Sequence, residues 1–261
     1  MSFVKKISTL IALISFLLIA TSSTVSADEL ATLQKSGVMK IAMSGAYPPF
    51  NFVNEQNKVV GFDPAIGREI AKRLGMKVEI ITTAWDGIIA GLLANKYDAI
   101  VGSMSITDKR KKVVDFVGPY YRMHSAVFVK KGSNISSLKD LKGHTVGVVL
   151  GETHEKWART HASWDIKTYK GLPELLMELD TGRIDAFVSD DIPVLVAIKK
   201  NGVKVTELNV PSLSGTSDSA GIAIRKGNDK LREAMQKALE GMQKDGTYTK
   251  IAKKWIGADI R

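Results

Sequence analysis

The chain is 261 residues long, 44% apolar and 25% charged, with 22 Gly, 7 Pro and no Cys. That balance excludes a disordered or low-complexity chain, and the missing thiols exclude disulfides, Cys-ligated zinc, iron–sulfur clusters and thiol catalysis. Lys and Arg number 37 against 27 Asp and Glu, a formal charge of +10, but the basic residues are scattered and lack aromatic interleaving, so a solvated surface is expected and no nucleic-acid partner.

In chain order, the first element is a leader. Lys5 and Lys6 precede the 11-residue apolar run Leu10–Ala20, and Val25-Ser26-Ala27 supplies a small–x–small exit. The run is shorter than the about 20 residues that span a bilayer, so residues 1–27 are expected to be a secretory signal peptide cut after Ala27. Losing Lys5 and Lys6 with the leader takes the net charge from +10 to +8. The mature chain is then an exported soluble protein, with no cysteine to carry a lipid anchor.

From Val38 onward short apolar strands alternate with amphipathic helices. Val38–Met43, Lys77–Thr82 and Ala99–Met104 read as strands; Pro64–Leu74, Trp85–Tyr97 and Ser105–Val114 read as helices, the first with Ile66, Ile70, Ala71 and Leu74 on one face. Pro48 and Pro49 force an extended turn between. This βαβαβ order implies a mostly parallel sheet covered on both faces.

A second round begins after Tyr120-Tyr121, with strands at Ala126–Val129, Thr145–Leu150, Ile166–Tyr169 and Ala186–Ser189 and helices at Thr153–His161, Pro173–Leu179 and Pro193–Lys200. The chain returns through a strand at Gly221–Arg225 into helices at Asp229–Lys244 and Tyr248–Trp255. Two α/β rounds and a returning tail suggest two lobes, one built from both chain ends, with two crossings as a hinge. No internal repeat is evident in the letters.

Candidate chemistry is sparse. His124, His144, His154 and His161 form no metal-binding spacing, and no nucleophile elbow, Walker loop or dinucleotide fingerprint is present. Neither a metal nor a cofactor is expected. What remains is anchoring groups at strand ends and helix starts, where open α/β sheets place ligands. Ser105 and Arg110 follow one strand, and a guanidinium beside helix N–H groups suits a carboxylate. Gly151-Glu152-Thr153 is a second strand–Gly–helix junction, and Asp190-Asp191 puts carboxylates at a third strand end, where one could bind a cation or cap the helix.

These residues resemble a known family. Tyr47-Pro48-Pro49-Phe50, Gly61-Phe62-Asp63, the run Gly102–Arg110, Asp115-Phe116, Pro119-Tyr120-Tyr121 and Asp245-Gly246-Thr247-Tyr248 are similar to the polar-amino-acid periplasmic binding proteins of ABC importers, solute-binding protein family 3. The resemblance covers essentially all of Asp28–Arg261. It implies a type II periplasmic-binding fold, with residues 28–122 plus 219–261 as one lobe and 123–218 as the other, each a mixed sheet flanked by helices. It also implies a periplasmic monomer that captures one amino acid, delivers it to a membrane permease and performs no catalysis. By the same resemblance Arg110 meets the α-carboxylate and Asp190 the α-ammonium. Tyr47 and Trp85 flank the ligand side chain, Ser103, Ser105 and Thr153 make polar contacts, Gly102 makes a backbone contact, and His154 lines the pocket.

Four positions depart from the pattern. Pro64-Ala65 stand where an apolar residue and an acid are usual. Ser44 stands where members selecting cationic side chains often carry an acid, and Glu152 where a small residue is usual, either restoring negative charge or facing solvent. The run Thr153–Arg159 also resembles periplasmic cyclohexadienyl and arogenate dehydratases, the alternative reading. Those use an acid three residues after the Asp190 position; here it is Pro193, which transfers no proton.

Overall fold

The computed structural model describes residues 28–261; the expected leader lies outside the described residues. After α1 (Glu29–Ser36) and β1 (Val38–Met43), the chain makes a small antiparallel sheet of β2 (Ala46–Tyr47), β3 (Asn51–Val53) and β4 (Val59–Val60). Then follow α2 (Phe62–Arg73), β5 (Lys77–Thr82), a 3-10 turn at Trp85–Gly87, α3 (Ile88–Leu93), β6 (Ala99–Ser105), α4 (Asp108–Lys111) and β7 (Val114–Arg122). The second round comprises β8 (Ser125–Lys130), a 3-10 turn at Leu138–Leu141, β9 (Thr145–Val149), α5 (Thr153–Ala158), β10 (Asp165–Tyr169), α6 (Leu172–Asp180), β11 (Ala186–Asp190), α7 (Asp191–Asn201) and β12 (Val205–Glu207). Strand β13 (Ser219–Arg225) and helices α8 (Asp229–Lys244) and α9 (Thr247–Trp255) close the chain.

Two five-stranded sheets result, ordered β5-β1-β6-β13-β7 and β10-β9-β11-β8-β12. In the first, β5, β1 and β6 run parallel while β13 is antiparallel to both β6 and β7. The second repeats this, with β10, β9 and β11 parallel and β8 antiparallel to β11 and β12. Both sheets are therefore mixed rather than mostly parallel, because one strand of each arrives by crossing from the other lobe. The two-lobed α/β architecture is the expected one.

Packing explains where the sequence expectations shift. Helix α2 begins at Phe62 and turns Phe62, Ile66 and Ile70 into the core, one side chain per turn. Its N-cap Gly61 has φ +130°, and any Cβ there would strike the Phe50 carbonyl. The helix expected over Trp85–Tyr97 is shorter, since the chain turns after Leu93 and the Tyr97 hydroxyl folds back to donate to the Ile88 carbonyl, over Gly91. The helix expected over Ser105–Val114 shrinks to one turn, Asp108–Lys111, capped by the Thr107 side chain. The residues after it join β7, an unanticipated strand that buries Val114, Val117, Tyr120 and Tyr121. Helix α8 spans the expected residues and buries Leu231, Met235, Ala238, Leu239 and Met242.

The chain passes between the sheets on either side of Met123 and Asp218, and the Met123 N–H donates to the Asp218 carbonyl at 3.1 Å. The two crossings thus lie side by side. Among the described residues, no helix is long and apolar enough to cross a membrane.

Candidate functional site

Strand ends and helix starts of both sheets converge on one cavity of about 20 Å³. All nine residues named from the sequence line it: Tyr47, Trp85, Gly102, Ser103, Ser105 and Arg110 from the first lobe, Thr153, His154 and Asp190 from the second. Ser44 and Glu152, two of the departures from the family pattern, line it too. By the same measure one water needs roughly 10–15 Å³, so with the side chains as they stand an amino acid would enter only as the cleft parts.

The first lobe supplies a cation and aromatic walls. Arg110 is 6% exposed, and one Nη donates to the Ser105 carbonyl at 2.9 Å. The guanidinium carbon lies 5.8 Å from the Trp85 ring centroid, a cation–π distance. Burial pulls the Arg110 pKa below its ordinary value, opposed by the charges of Glu152 and Asp190. Tyr47 stacks on Phe50 with centroids 5.7 Å apart, and Phe50 on Tyr121 at 4.7 Å, so a buried aromatic column fixes the ring.

Ser103 is held from behind. Its φ is +60°, a left-handed conformation uncommon outside glycine. Its N–H donates to the Tyr120 hydroxyl at 2.8 Å and its hydroxyl to Asp63 Oδ2, also at 2.8 Å. Asp63 accepts as well from Tyr120 and, at 2.7 Å, from Asn51 Nδ2, whose Oδ1 in turn receives the Ser44 hydroxyl and the Gly45 N–H. Burial raises the Asp63 carboxyl to about 6 against these three donors. One buried carboxylate therefore ties β3, β6, β7 and the Ser44 turn together.

The second lobe supplies the acids. Asp190 ends β11 and is 4% exposed; it makes no capping bond to α7. Its Oδ2 accepts from the Tyr47 hydroxyl at 2.6 Å, and its Oδ1 from the Ser125 hydroxyl at 3.2 Å, with His154 Nε2 3.1 Å away. Neighbouring Asp191 instead accepts from the His124 N–H at 3.0 Å. Burial alone would raise the Asp190 pKa, but the His154 charge and the donors from His154, Tyr47 and Ser125 hold it below the ordinary carboxylate range. His154, 2% exposed, has its other nitrogen 2.8 Å from Glu152. Burial disfavours the imidazolium, yet Asp190 and Glu152 together lift its pKa to about 10.

Sequence reasoning did not anticipate Ser125, because it reaches Asp190 through an antiparallel pairing of β8 with β11 that no local spacing reveals. Among the described residues, no group of His, Cys, Asp and Glu is arranged to hold a metal.

The chain is similar over most of its length to known amino-acid-binding proteins. The chain is 36% identical over 239 residues to the L-cystine-binding protein TcyJ of Escherichia coli strain K12, covering 90% of this chain and 89% of that protein. An ancestral arginine-binding protein bound to glutamine is 42% identical, with a TM-score of 0.77 over 85% of this chain and 98% of that one. The ancestral amino acid-binding protein AncCDT-1, described as a precursor of cyclohexadienyl dehydratase, is 34% identical with a TM-score of 0.80, covering 87% of this chain and 99% of that one. Residues 39–258 match the family profile itself. With two mixed sheets meeting at an anchored cleft and a profile match over most of its length, the chain belongs to the bacterial extracellular solute-binding proteins of family 3.

Proposed function

We propose that this protein captures a free L-α-amino acid between its lobes and delivers it to the membrane permease of an ABC importer. One observation carries the reading: a buried guanidinium, Arg110, and a buried carboxylate, Asp190, reach one cavity from different sheets. A zwitterion placed between them bridges the cleft, and its higher affinity for the closed form is what shifts the population. Closure of periplasmic binding proteins by hinge motion is a general property of such folds. We assign the hinge to residues 121–125 and 212–220, one lobe to residues 28–122 plus 219–261, and the other to residues 123–218. Residues 1–27 are the leader that delivers a monomer to the periplasm.

The ligand side chain leaves the cavity past Ser44 and Trp85. Those two residues also line a larger space of about 730 Å³ at the cleft mouth, with Thr82, Tyr169, Lys170 and Glu174. With Ser44 in place of an acid, a neutral polar side chain fits better than a strictly cationic one. A relative named for cystine binding and an ancestral arginine-binding protein bound to glutamine fit that side chain, while other relatives are named for histidine and arginine.

The dehydratase reading is supported by the run Thr153–Arg159 and by the likeness to AncCDT-1, itself named an amino acid-binding protein. Against it, Pro193 stands where the acid would be and lines an apolar groove with Leu172, Pro173 and Trp255. A thermal-shift screen against the twenty amino acids tests the function, since a bound ligand stabilises by RT ln(1 + [L]/Kd). One or a few are expected to raise the unfolding temperature. No shift with any of them, or steady conversion of prephenate or arogenate, overturns the reading.

A further inference from the structure

The acidic end of the cavity is not a lone carboxylate. His154 Nδ1 lies 2.8 Å from Glu152 Oε2 and Nε2 lies 3.1 Å from Asp190 Oδ1, so both ring nitrogens face carboxylate oxygens. A neutral imidazole with its N–H toward Glu152 could accept from the Ser125 hydroxyl, 3.0 Å from Nε2, but would hold that lone pair against Asp190 Oδ1 as well; the imidazolium donates to both carboxylates and leaves the Ser125 hydroxyl to Asp190. The group is thus Glu152 minus, His154 plus, Asp190 minus, a net charge of minus one. His154 already offsets the Asp190 charge, and the surplus negative charge comes from Glu152.

The surroundings leave that accounting intact. The Tyr47 and Ser125 hydroxyls reach Asp190 as neutral donors from β2 and β8, and the one other charged side chain lining the cavity is Arg110, on the carboxylate side. On α5 itself Glu155 is engaged elsewhere, accepting from the Gly151 N–H at 2.7 Å and paired with Arg159. Lys156 lines an adjoining groove with Lys109 and Lys112, which meets the cavity at Trp85 and Arg110, on the carboxylate side.

We propose that Glu152 is a specificity-determining residue: it holds His154 as a cation and supplies the net negative charge by which the pocket retains a ligand's ammonium group. This rests on the amino-acid-binding reading above. Without Glu152 the His154–Asp190 couple is a neutral ion pair at low pH, and Asp190 regains a free charge only when His154 loses its proton.

The test compares wild type, Glu152→Gln and Glu152→Asp by calorimetry from pH 6 to 8.5, with L-glutamine and the other proteinogenic amino acids as probes. In parallel, the ring nitrogens of His154 are observed by nitrogen-15 NMR. Wild-type affinity is expected to be flat with pH, with both ring nitrogens protonated at pH 8. Glu152→Gln is expected to bind at least tenfold more weakly at pH 6, to recover toward pH 8.5, and to show one ring nitrogen losing its proton over that range. Glu152→Asp, which keeps the charge, is expected to retain most of the affinity. Wild-type binding combined with an unchanged affinity and pH profile in Glu152→Gln overturns the role of Glu152 alone, as does a singly protonated His154 in the wild type at pH 7. Failure of every amino acid to bind the wild type overturns the functional reading and, with it, the role of Glu152 in ligand retention.

Discussion

Tyr47 and Asp190, 143 residues apart in the chain, meet across the cleft with their oxygens 2.6 Å apart. The tyrosine hydroxyl donates to a carboxylate oxygen that the proposed function assigns to a ligand ammonium. With Ser125 and His154 on the other oxygen, the ligand-free Asp190 is already satisfied. A buried carboxylate cannot be left without donors, so the Tyr47 contact stabilises the ligand-free Asp190, and the ammonium of the proposed ligand would have to displace it.

Tyr47→Phe keeps the ring stacked on Phe50 and removes only the competing donor. A hydrogen bond to a charged group contributes about 1.5–3 kcal/mol, and part of that is recovered as affinity. Calorimetry is expected to show binding equal to wild type or up to about tenfold tighter. A loss of more than about tenfold means that the hydroxyl serves the ligand rather than competing with it.

Arg110→Ala is expected to weaken binding by roughly 2–5 kcal/mol, since it leaves a desolvated ligand carboxylate unpaired. Arg110→Lys recovers only part, because an ammonium is a point charge without the planar fork of the guanidinium. Unchanged affinity in Arg110→Ala removes Arg110 from the site.

Much of this site was legible because its residues sit at local punctuation: Arg110 one turn after a strand end, Thr153 just past a glycine junction, Asp190 at the end of β11. The two α/β rounds were legible for the same reason, as short β-branched runs separated by 3.6-period helices. What stayed hidden depends on which element lands beside which. The strand character of β7 rests on pairing with β13, from about a hundred residues later in the chain. Glu152 had two readings in the sequence, toward solvent or toward the pocket, and the position of the His154 ring decides between them. Asp63 was visible as part of a motif, but its bond to Ser103 required β6 to lie against α2.

His154 makes stability depend on pH. Its folded-state pKa, about 10, lies above the ordinary 6.5, so its contribution is fully present below about pH 6.5 and is lost as pH rises through 10. The unfolding temperature of the wild type is expected to fall more steeply between pH 7 and about 10 than that of His154→Gln, which has no such proton to lose. Parallel profiles in scanning calorimetry contradict the protonated, doubly bonded imidazole.

Gly171 reports on closure. It precedes α6 in the second lobe with φ −174°, an extended backbone open to any residue, yet a Cβ there would collide with the Ala46 carbonyl of the first lobe. Gly171→Val is therefore expected to fold normally, wedge the cleft, and bind ligand at least tenfold more weakly. Small-angle scattering at saturating ligand is expected to give a larger radius of gyration than for wild type. An unchanged radius and affinity show that the lobes do not press together at this point in the bound state.

Both α-groups of one bound amino acid are expected to be gripped, the carboxylate by Arg110 and the ammonium by the acidic end around Asp190. Calorimetry with the tightest-binding amino acid, its methyl ester and its N-acetyl derivative tests this most directly. One free amino acid is expected to bind per chain, with a loss of at least about a hundredfold for each derivative, since each leaves one buried charge without its partner. A derivative that binds as tightly as the free amino acid contradicts it.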